Sequence, residues 1–393
     1  MNTRNRNVIL LAIGTLLLLI IAYSNHFNNG FHFDDSHTIV DNVHIRNIHN
    51  IPSFFSDPKM FSASPSHYGM RPIVTTSLAI DYWLGGKLEP FYFQLSTFIW
   101  HVLLGVMLFF MYKKLLIISF QHSWITYIAL FGAAWFLLHT VNAETINYII
   151  SRSDVQSTFF IVASFLIFIS YPQYRKYYLY IIPAIAGVFA KETVLVLIIL
   201  LFFYINLFEN QFSLADLFKS KNFKLVLNSI KKLLPILIVV IAVQVYTLTR
   251  VTAIPGISNP AGYYWLTQTF VWLHYFTSFF LPTSLSADTD WQVILTFFDR
   301  RIIIGVVFVI LLLIAIFKTS KTASTRPIAF GLIWFAASLL PTSLAPFAEV
   351  TNDHRMYFAF VGLSLSVVTF IGQWLINRES KIIGSLIYKT LLG

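Results

Sequence analysis

Residues 178–208 read YLYIIPAIAGVFAKETVLVLIILLFFYINLF, an apolar run broken only by Lys191-Glu192 near its middle. A helix needs about 20 residues to cross a hydrocarbon core of about 30 Å, so the run is long enough for more than one crossing. A single helix would bury Lys191 and Glu192 at mid-bilayer, where ionised side chains are costly. The run is therefore expected to form two spans joined at a polar turn, with the pair near the membrane surface.

Working outward, apolar runs recur at 8–24, 92–112, 124–141, 155–171, 233–249, 302–317, 327–345 and 356–376. The 393-residue chain is 57% hydrophobic and 11% charged, and its mean hydropathy is +0.71. That is more apolar surface than a soluble core of this size can hide. Unpaired backbone amides are prohibitive in lipid, and runs this continuous lack the alternation of a barrel strand. The sequence predicts an all-α polytopic transmembrane bundle with about ten crossings. It is read as one membrane domain over 1–393: a first transmembrane helix at 8–24, an outer loop with interfacial helices at 25–91 and core helices at 92–249. An outer or re-entrant segment follows at 250–301, then the last transmembrane helices at 302–376 and a cytoplasmic tail at 377–393. The first run follows Arg4 and Arg6 without a small-x-small cleavage site, so it reads as a retained helix. There is no cysteine, hence no disulfide framework or thiolate metal site.

Charge gives an orientation. With the N-terminus cytoplasmic, the inside segments hold 17 of the 27 basic residues, including Lys113, Lys114, Lys219, Lys221, Lys318 and Arg326, as the positive-inside rule expects. The outside segments then hold 14 of the 17 acidic residues. The net charge of +10 needs no nucleic-acid partner under this distribution. A simple crossing at 263–282 would put Lys318, Lys321 and Arg326 outside, so a re-entrant or interfacial segment is expected there. The near-repeat LPTSL at 281–285 and 340–344 fits, since both copies then close apolar helices on one side.

Within the loop at 25–91, Ile45, Ile48, Ile51, Phe54 and Phe55 recur at near-helical spacing. Arg71-Pro72 opens a second apolar stretch that Gly85-Gly86 stops. Both segments read as short helices at the membrane interface, the bland reading being a structural lid with no chemistry. Phe33-Asp34-Asp35 places two mutually repelling carboxylates just past the first helix. One carboxylate can take a proton from a hydroxyl while the other orients a group; alternatively both cap a helix beginning near Ser36.

Three further polar clusters fall on the same outer side: His139 to Glu144 with Arg152-Ser153-Asp154, then Lys191-Glu192, then Asp353-His354-Arg355-Met356-Tyr357. All can converge with Asp34-Asp35 on one cavity. Arg152, Lys191 and Arg355 would give it cations suited to a phosphate. Against this, Lys191-Glu192 can be a self-neutralising pair, and Arg355 can snorkel to headgroups. His32, His37, His44, His49, His67 and His139 lack the close pairing of a zinc face and read as surface or interfacial residues. No metal ligand is assigned.

These motifs, in this order, resemble the GT-C glycosyltransferases, and among them the transmembrane O-mannosyltransferases targeting cadherins and their bacterial relatives. The family's aromatic-Asp-Asp element is matched by Phe33-Asp34-Asp35, and its Arg-Pro element by Arg71-Pro72. Its His-Pro-Val-(His/Asn)-x-Glu signature with Arg-x-Asp is matched by His139-Thr140-Val141-Asn142-Ala143-Glu144 and Arg152-Ser153-Asp154. Lys191-Glu192 and Arg355-Met356-Tyr357 complete the set. Thr140 stands where the family has proline, Thr97 where it has asparagine beside His101, and Asp353-His354 where it has glutamate. Members often carry tetratricopeptide repeats after the membrane domain, whereas residues 377–393 read as a short tail.

The resemblance implies inverting transfer of a monosaccharide, such as mannose, from a polyprenyl-phosphate carrier to a hydroxyl of a protein, lipid or glycan at the outer face. Asp34 or Asp35 would be the general base, and Arg71, Arg152, Lys191 and Arg355 would hold the lipid phosphate. His139, Asn142, Glu144, Asp154, Glu192, Asp353, His354 and Tyr357 would line the substrate cavity, with no cofactor. A bacterial cytoplasmic membrane, with the site toward the periplasm or outside, is the expected location. The alternatives are a flippase or transporter for a lipid-linked sugar, a non-catalytic scaffold, and a metal-dependent oligosaccharide transferase.

Overall fold

The computed structural model describes residues 3–251, 259–283, 285–287 and 289–392, with side chains placed for 5–379 of these. The chain is a multi-pass integral membrane protein: eight helices among the described residues are long and apolar enough to cross a bilayer. The helices are α1 (Thr3–Ala22), α2 (Ile51–Phe54), α3 (Pro72–Gly85), α4 (Pro90–Ser119), α5 (Ile125–Leu138), α6 (Asn142–Asn147) and α7 (Arg152–Ser170). They continue with α8 (Ile181–Val188), α9 (Val196–Tyr204), α10 (Phe223–Arg250), α11 (Ala261–Phe280), α12 (Arg300–Thr319), α13 (Arg326–Leu344) and α14 (Met356–Leu392).

Against the expectation of about ten crossings, eight helices among the described residues meet the length needed, and two of the expected spans are short. The run at 124–141 yields the 14-residue α5, about 21 Å long, and the first half of 178–208 yields the 8-residue α8, about 12 Å. Both are too short to cross a bilayer as single straight helices. The second half of that run is extended by helical turns at both ends into a span over Glu192–Glu209.

Small residues set how closely the bundle packs. On α13 and α14, a Cβ added to Gly331 would lie 2.3 Å from the Gly362 carbonyl oxygen, and one on Gly362 would lie 2.3 Å from the Gly331 carbonyl oxygen. Lipid offers no hydrophobic drive for helix association, so such backbone contact is a main source of cohesion. The Tyr112 hydroxyl on α4 donates to the Val361 carbonyl at 2.8 Å, tying α14 to α4. By contrast, α1 leaves most of its apolar residues exposed, as a helix facing lipid does.

Helix α11 runs parallel to α12: Phe270 lies against Gly305 and Phe276 against Phe308, with ring centroids 5.2 Å apart. The described residues 289–299 of the connection between them turn back along α11. Trp291 stacks on Phe270, the Ile294 amide donates to Thr267 Oγ1 at 3.0 Å, and Phe297 reaches Tyr263. The chain thus leaves the end of α11 and returns to its beginning before α12 starts. Ser284, in the first copy of the near-repeat, lies outside the described residues.

The loop before α3 folds against the bundle and carries its own small core. Ile39, Ile45 and Phe54 bury with Val74, Leu78, Phe93, Ile149 and Ala190. The near-helical spacing of 45–55 becomes 3-10 turns at Val43–Arg46 and Ile48–Asn50 followed by the single turn of α2. Asn42 and Asn47 side chains accept from the amides of His44 and His49 and so favour turns over a continuous helix. Helix α3 begins at Pro72, whose missing N–H costs nothing in a first turn, and ends at Gly86, whose φ of 66° suits a residue without Cβ.

Candidate functional site

A cavity of about 780 Å³ opens at the end of the bundle where the loop before α3, the starts of α7 and α14, and the ends of α8, α10 and α13 meet. Its polar lining includes Asp34, Arg71, Asp154, Lys191, Glu192, His354 and Arg355, so seven of the fourteen expected site residues share one space. The other walls are largely apolar, with Val188, Leu195, Leu248, Pro341 and Phe358.

The two adjacent aspartates have different surroundings. Asp35 is fully buried. Its Oδ2 accepts from the His32 amide at 3.0 Å and its Oδ1 from the Ile150 amide at 2.9 Å, so the carboxylate ties the loop to the start of α7. Burial lifts this carboxyl to about 6, although the His32 and Ile150 amides and the Arg152 charge pull it down. Asp34 instead lines the cavity with its side chain 59% exposed. Its Oδ1 lies 3.4 Å from His37 Nε2, while Ser62 Oγ lies 2.9 Å from His37 Nδ1. The turn that carries both aspartates includes Phe33, a non-glycine residue at φ 47°. Its ring meets Tyr148 edge-on, and the next amide, of Asp34, donates to the Tyr148 hydroxyl at 3.0 Å. A bulky residue in this sparsely allowed region persists only where its neighbours hold it. Neither aspartate side chain caps the short helical turn that starts at Ser36.

The cations sort in the same way. Arg152 is fully buried and closed on Asp81, with further bonds to Ser77 Oγ and the Phe93 carbonyl. It does not line the cavity: the bonds of its two terminal nitrogens brace α7 against α3 and α4, and its buried Nε has no hydrogen-bond partner among the described residues. Burial drives the Asp81 carboxyl up, and the Arg152 charge opposes this. Lys191 Nζ bonds both oxygens of Asp154, at 2.7 and 2.8 Å. Arg71 and Arg355 are held more loosely: each faces a half-exposed carboxylate, Glu192 and Glu349 respectively, at 3.7 Å. At that distance Arg71 has charge contact without a hydrogen bond and remains open to another bidentate acceptor, whereas Arg355 also donates from Nη1 to the Glu349 carbonyl at 3.2 Å.

Five further expected cavity residues sit outside the lining. His139 donates from Nε2 to the Phe279 carbonyl at 2.9 Å and accepts from the Val141 amide, so both ring nitrogens serve the helix junction; its burial holds the imidazole below its usual range. Asn142 bonds back to the Phe136 carbonyl, and Asp353 accepts from the Ser286 amide at 2.8 Å. The Tyr357 hydroxyl points into the bundle to His101 Nδ1 at 2.7 Å. Glu144 lies behind His354, with Oε1 3.3 Å from His354 Nδ1. Among the described residues, no three His, Asp or Glu side chains are grouped to hold a metal ion.

Asp81, His37 and Tyr148 were missing from the sequence-derived set. Asp81 carried a usable signal, since it is the one acidic residue in the apolar stretch of α3 and such a residue needs a partner.

The architecture is that of a helical membrane protein with a polar cavity walled by apolar helix ends. Its curated relatives are protein O-mannosyl-transferases. The chain is 26% identical to Protein O-mannosyl-transferase TMTC3 of Mus musculus over 157 residues, which is 39% of this chain and 16% of that protein. It is 23% identical to Protein O-mannosyl-transferase TMTC4 of Homo sapiens over 157 residues, 37% of this chain and 21% of that protein. The relationship is distant, and the matched stretch spans less than a quarter of either relative. No family model matches the chain, and no solved structure matches it significantly.

Proposed function

We propose that this protein is a membrane glycosyltransferase that moves a monosaccharide, such as mannose, from a polyprenyl-phosphate carrier to an acceptor hydroxyl with inversion. The observation that carries the reading is the cavity itself: the exposed Asp34 carboxylate, which faces no guanidinium among the described residues, shares it with Arg71 and Arg355, each set 3.7 Å from a different carboxylate. Asp34 takes the hydroxyl proton as the acceptor oxygen attacks the sugar C1. The C1–O bond to phosphate breaks, and Arg71 and Arg355 stabilise the charge that gathers on the departing lipid phosphate. Lys191, already neutralised by Asp154, supports this field from a fixed position. Asp35 has a structural task in this reading and holds the loop in place.

The distant O-mannosyl-transferase relationship supports the reaction class. Apolar walls beside the polar floor suit a lipid carrier, whose chain can remain among helix ends while its headgroup reaches the acids and bases. The acceptor, a protein Ser/Thr, a lipid or a glycan, is approached from the outer side of what we take to be a bacterial cytoplasmic membrane. Purified protein incubated with labelled polyprenyl-phosphate sugars and each acceptor class should release free polyprenyl phosphate and label one class. Lipid binding without transfer to any acceptor would sink the reading.

A further inference from the structure

One acidic group beside the cavity has no task in the mechanism above. Glu144 Oε2 is buried without a hydrogen-bond partner, and the side chain is 11% exposed. Its other oxygen lies 3.3 Å from Nδ1 of His354, a residue that lines the cavity. A buried carboxylate with one orphaned oxygen is costly, whereas a buried carboxylic acid is much less so. Burial, then the nearby Asp353 and Asp154 charges and more weakly Glu349, lift Glu144 to about 8, opposed by the His354 backbone. At neutral pH it therefore holds its proton. An acid O–H facing Nδ1 makes that nitrogen the acceptor and leaves Nε2–H as the donating edge of the ring. Lys191, Arg355 and Arg71 are the cations around the imidazole, the same groups that face the phosphate in the mechanism above.

We infer that His354, oriented by Glu144, is the general acid that protonates the departing lipid phosphate. The inference rests on the transferase reading and extends it from the attacking side to the leaving side. As C1–O breaks, the phosphate oxygen takes the proton of His354 Nε2, and Nδ1 takes the proton of Glu144. Asp34 meanwhile takes the acceptor proton. The products are the glycoside and a singly protonated lipid phosphate; Asp34 is left neutral, Glu144 ionised and His354 protonated on Nδ1, and water in the open cavity takes the Asp34 proton and delivers one to Nε2 as Nδ1 returns its proton to Glu144. His354 touches the reacting group, and Glu144 is a positioning and proton-supplying residue behind it.

The test is the pH–rate profile of transfer by the full-length protein with a polyprenyl-phosphate sugar. The wild type should lose activity as pH rises through about 8, where Glu144 gives up its proton. In Glu144→Gln the amide N–H still holds the ring tautomer but supplies no proton. We expect kcat to fall on the order of 100-fold with donor KM unchanged, and the alkaline limb to move. His354→Gln should show the same loss, and a lipid thiophosphate donor, whose leaving group is the stronger acid, should recover part of it in both. Infrared spectra of the wild type should show a carboxylic-acid band that titrates near pH 8 and is absent in Glu144→Gln, a readout independent of turnover. An unchanged alkaline limb in Glu144→Gln, or no such band, overturns the inference alone. A wild type that transfers no sugar overturns it together with the transferase reading.

Discussion

The Arg152 guanidinium is closed on the Asp81 carboxylate, both fully or nearly fully buried, across 71 residues of sequence. This ion pair joins α7 to α3 in the region that carries the cavity floor. Removing one partner leaves the other charged and desolvated, so Asp81→Ala and Arg152→Ala should each cost about 3–5 kcal/mol. Melting in detergent should show both as severe, and an apolar replacement of both residues together, Asp81→Leu with Arg152→Met, as milder than either alone.

Asp35 is expected to behave as a structural acid with its own pH signature. Its folded-state carboxyl is raised to about 6 by burial, so the folded chain holds the proton more tightly than the unfolded one. That contribution to stability is fully present below the ordinary carboxyl range and is lost as pH rises through about 6. The melting temperature should therefore drop between pH 5 and pH 7 by more in the wild type than in Asp35→Asn. The variant should also be less stable throughout, because an amide NH2 cannot accept from both backbone amides.

The α13–α14 contact predicts a local intolerance. Gly331→Ala or Gly362→Ala drives a methyl group into the facing carbonyl and should cost about 1–3 kcal/mol by overpacking. Gly14→Ala on α1, where nothing lies within 4 Å of the added Cβ, should leave the melting temperature within error or slightly raised.

Donor binding separates the cations. Arg355→Lys keeps the charge but loses the bidentate fork, so donor KM should rise about tenfold, an effect of about 1.4 kcal/mol. Arg71→Lys should do the same and leave melting nearly unchanged because its present partner is exposed, whereas Arg355→Lys should also lower stability modestly by losing the bond to the Glu349 carbonyl. Lys191→Ala should instead lower stability, since it strands the buried Asp154 carboxylate.

Much of this was legible in the sequence where a single residue type dictates local geometry. Lys191-Glu192 marks the break between α8 and α9, and Pro72 and Gly86 bound α3, because charge in lipid, a missing N–H and a positive φ are local facts. Grouping the polar motifs on one side by charge anticipated that Asp34, Arg71, Asp154, Lys191, Glu192, His354 and Arg355 share one space. What could not be read was which neighbour each ionisable side chain would meet. Arg152 was expected at a phosphate because the sequence shows its charge but not Asp81 across the helix interface. Asp34 and Asp35 looked interchangeable because their opposite orientations depend on the unusual backbone of Phe33 and on amides supplied from Ile150. His139 and Tyr357 carried motif positions, yet their polar atoms close helix junctions instead of facing the cavity. Ten spans became eight long helices because hydropathy reports apolar length without showing where a helix stops.

The most direct measurement compares sugar transfer from a labelled polyprenyl-phosphate donor by the wild type, Asp34→Asn and Asp35→Asn, each normalised to folded, donor-binding protein. If Asp34 is the base, Asp34→Asn retains donor binding and loses on the order of 100-fold or more in kcat, while folded Asp35→Asn keeps most of its turnover. Transfer by Asp34→Asn at the wild-type rate would contradict the account.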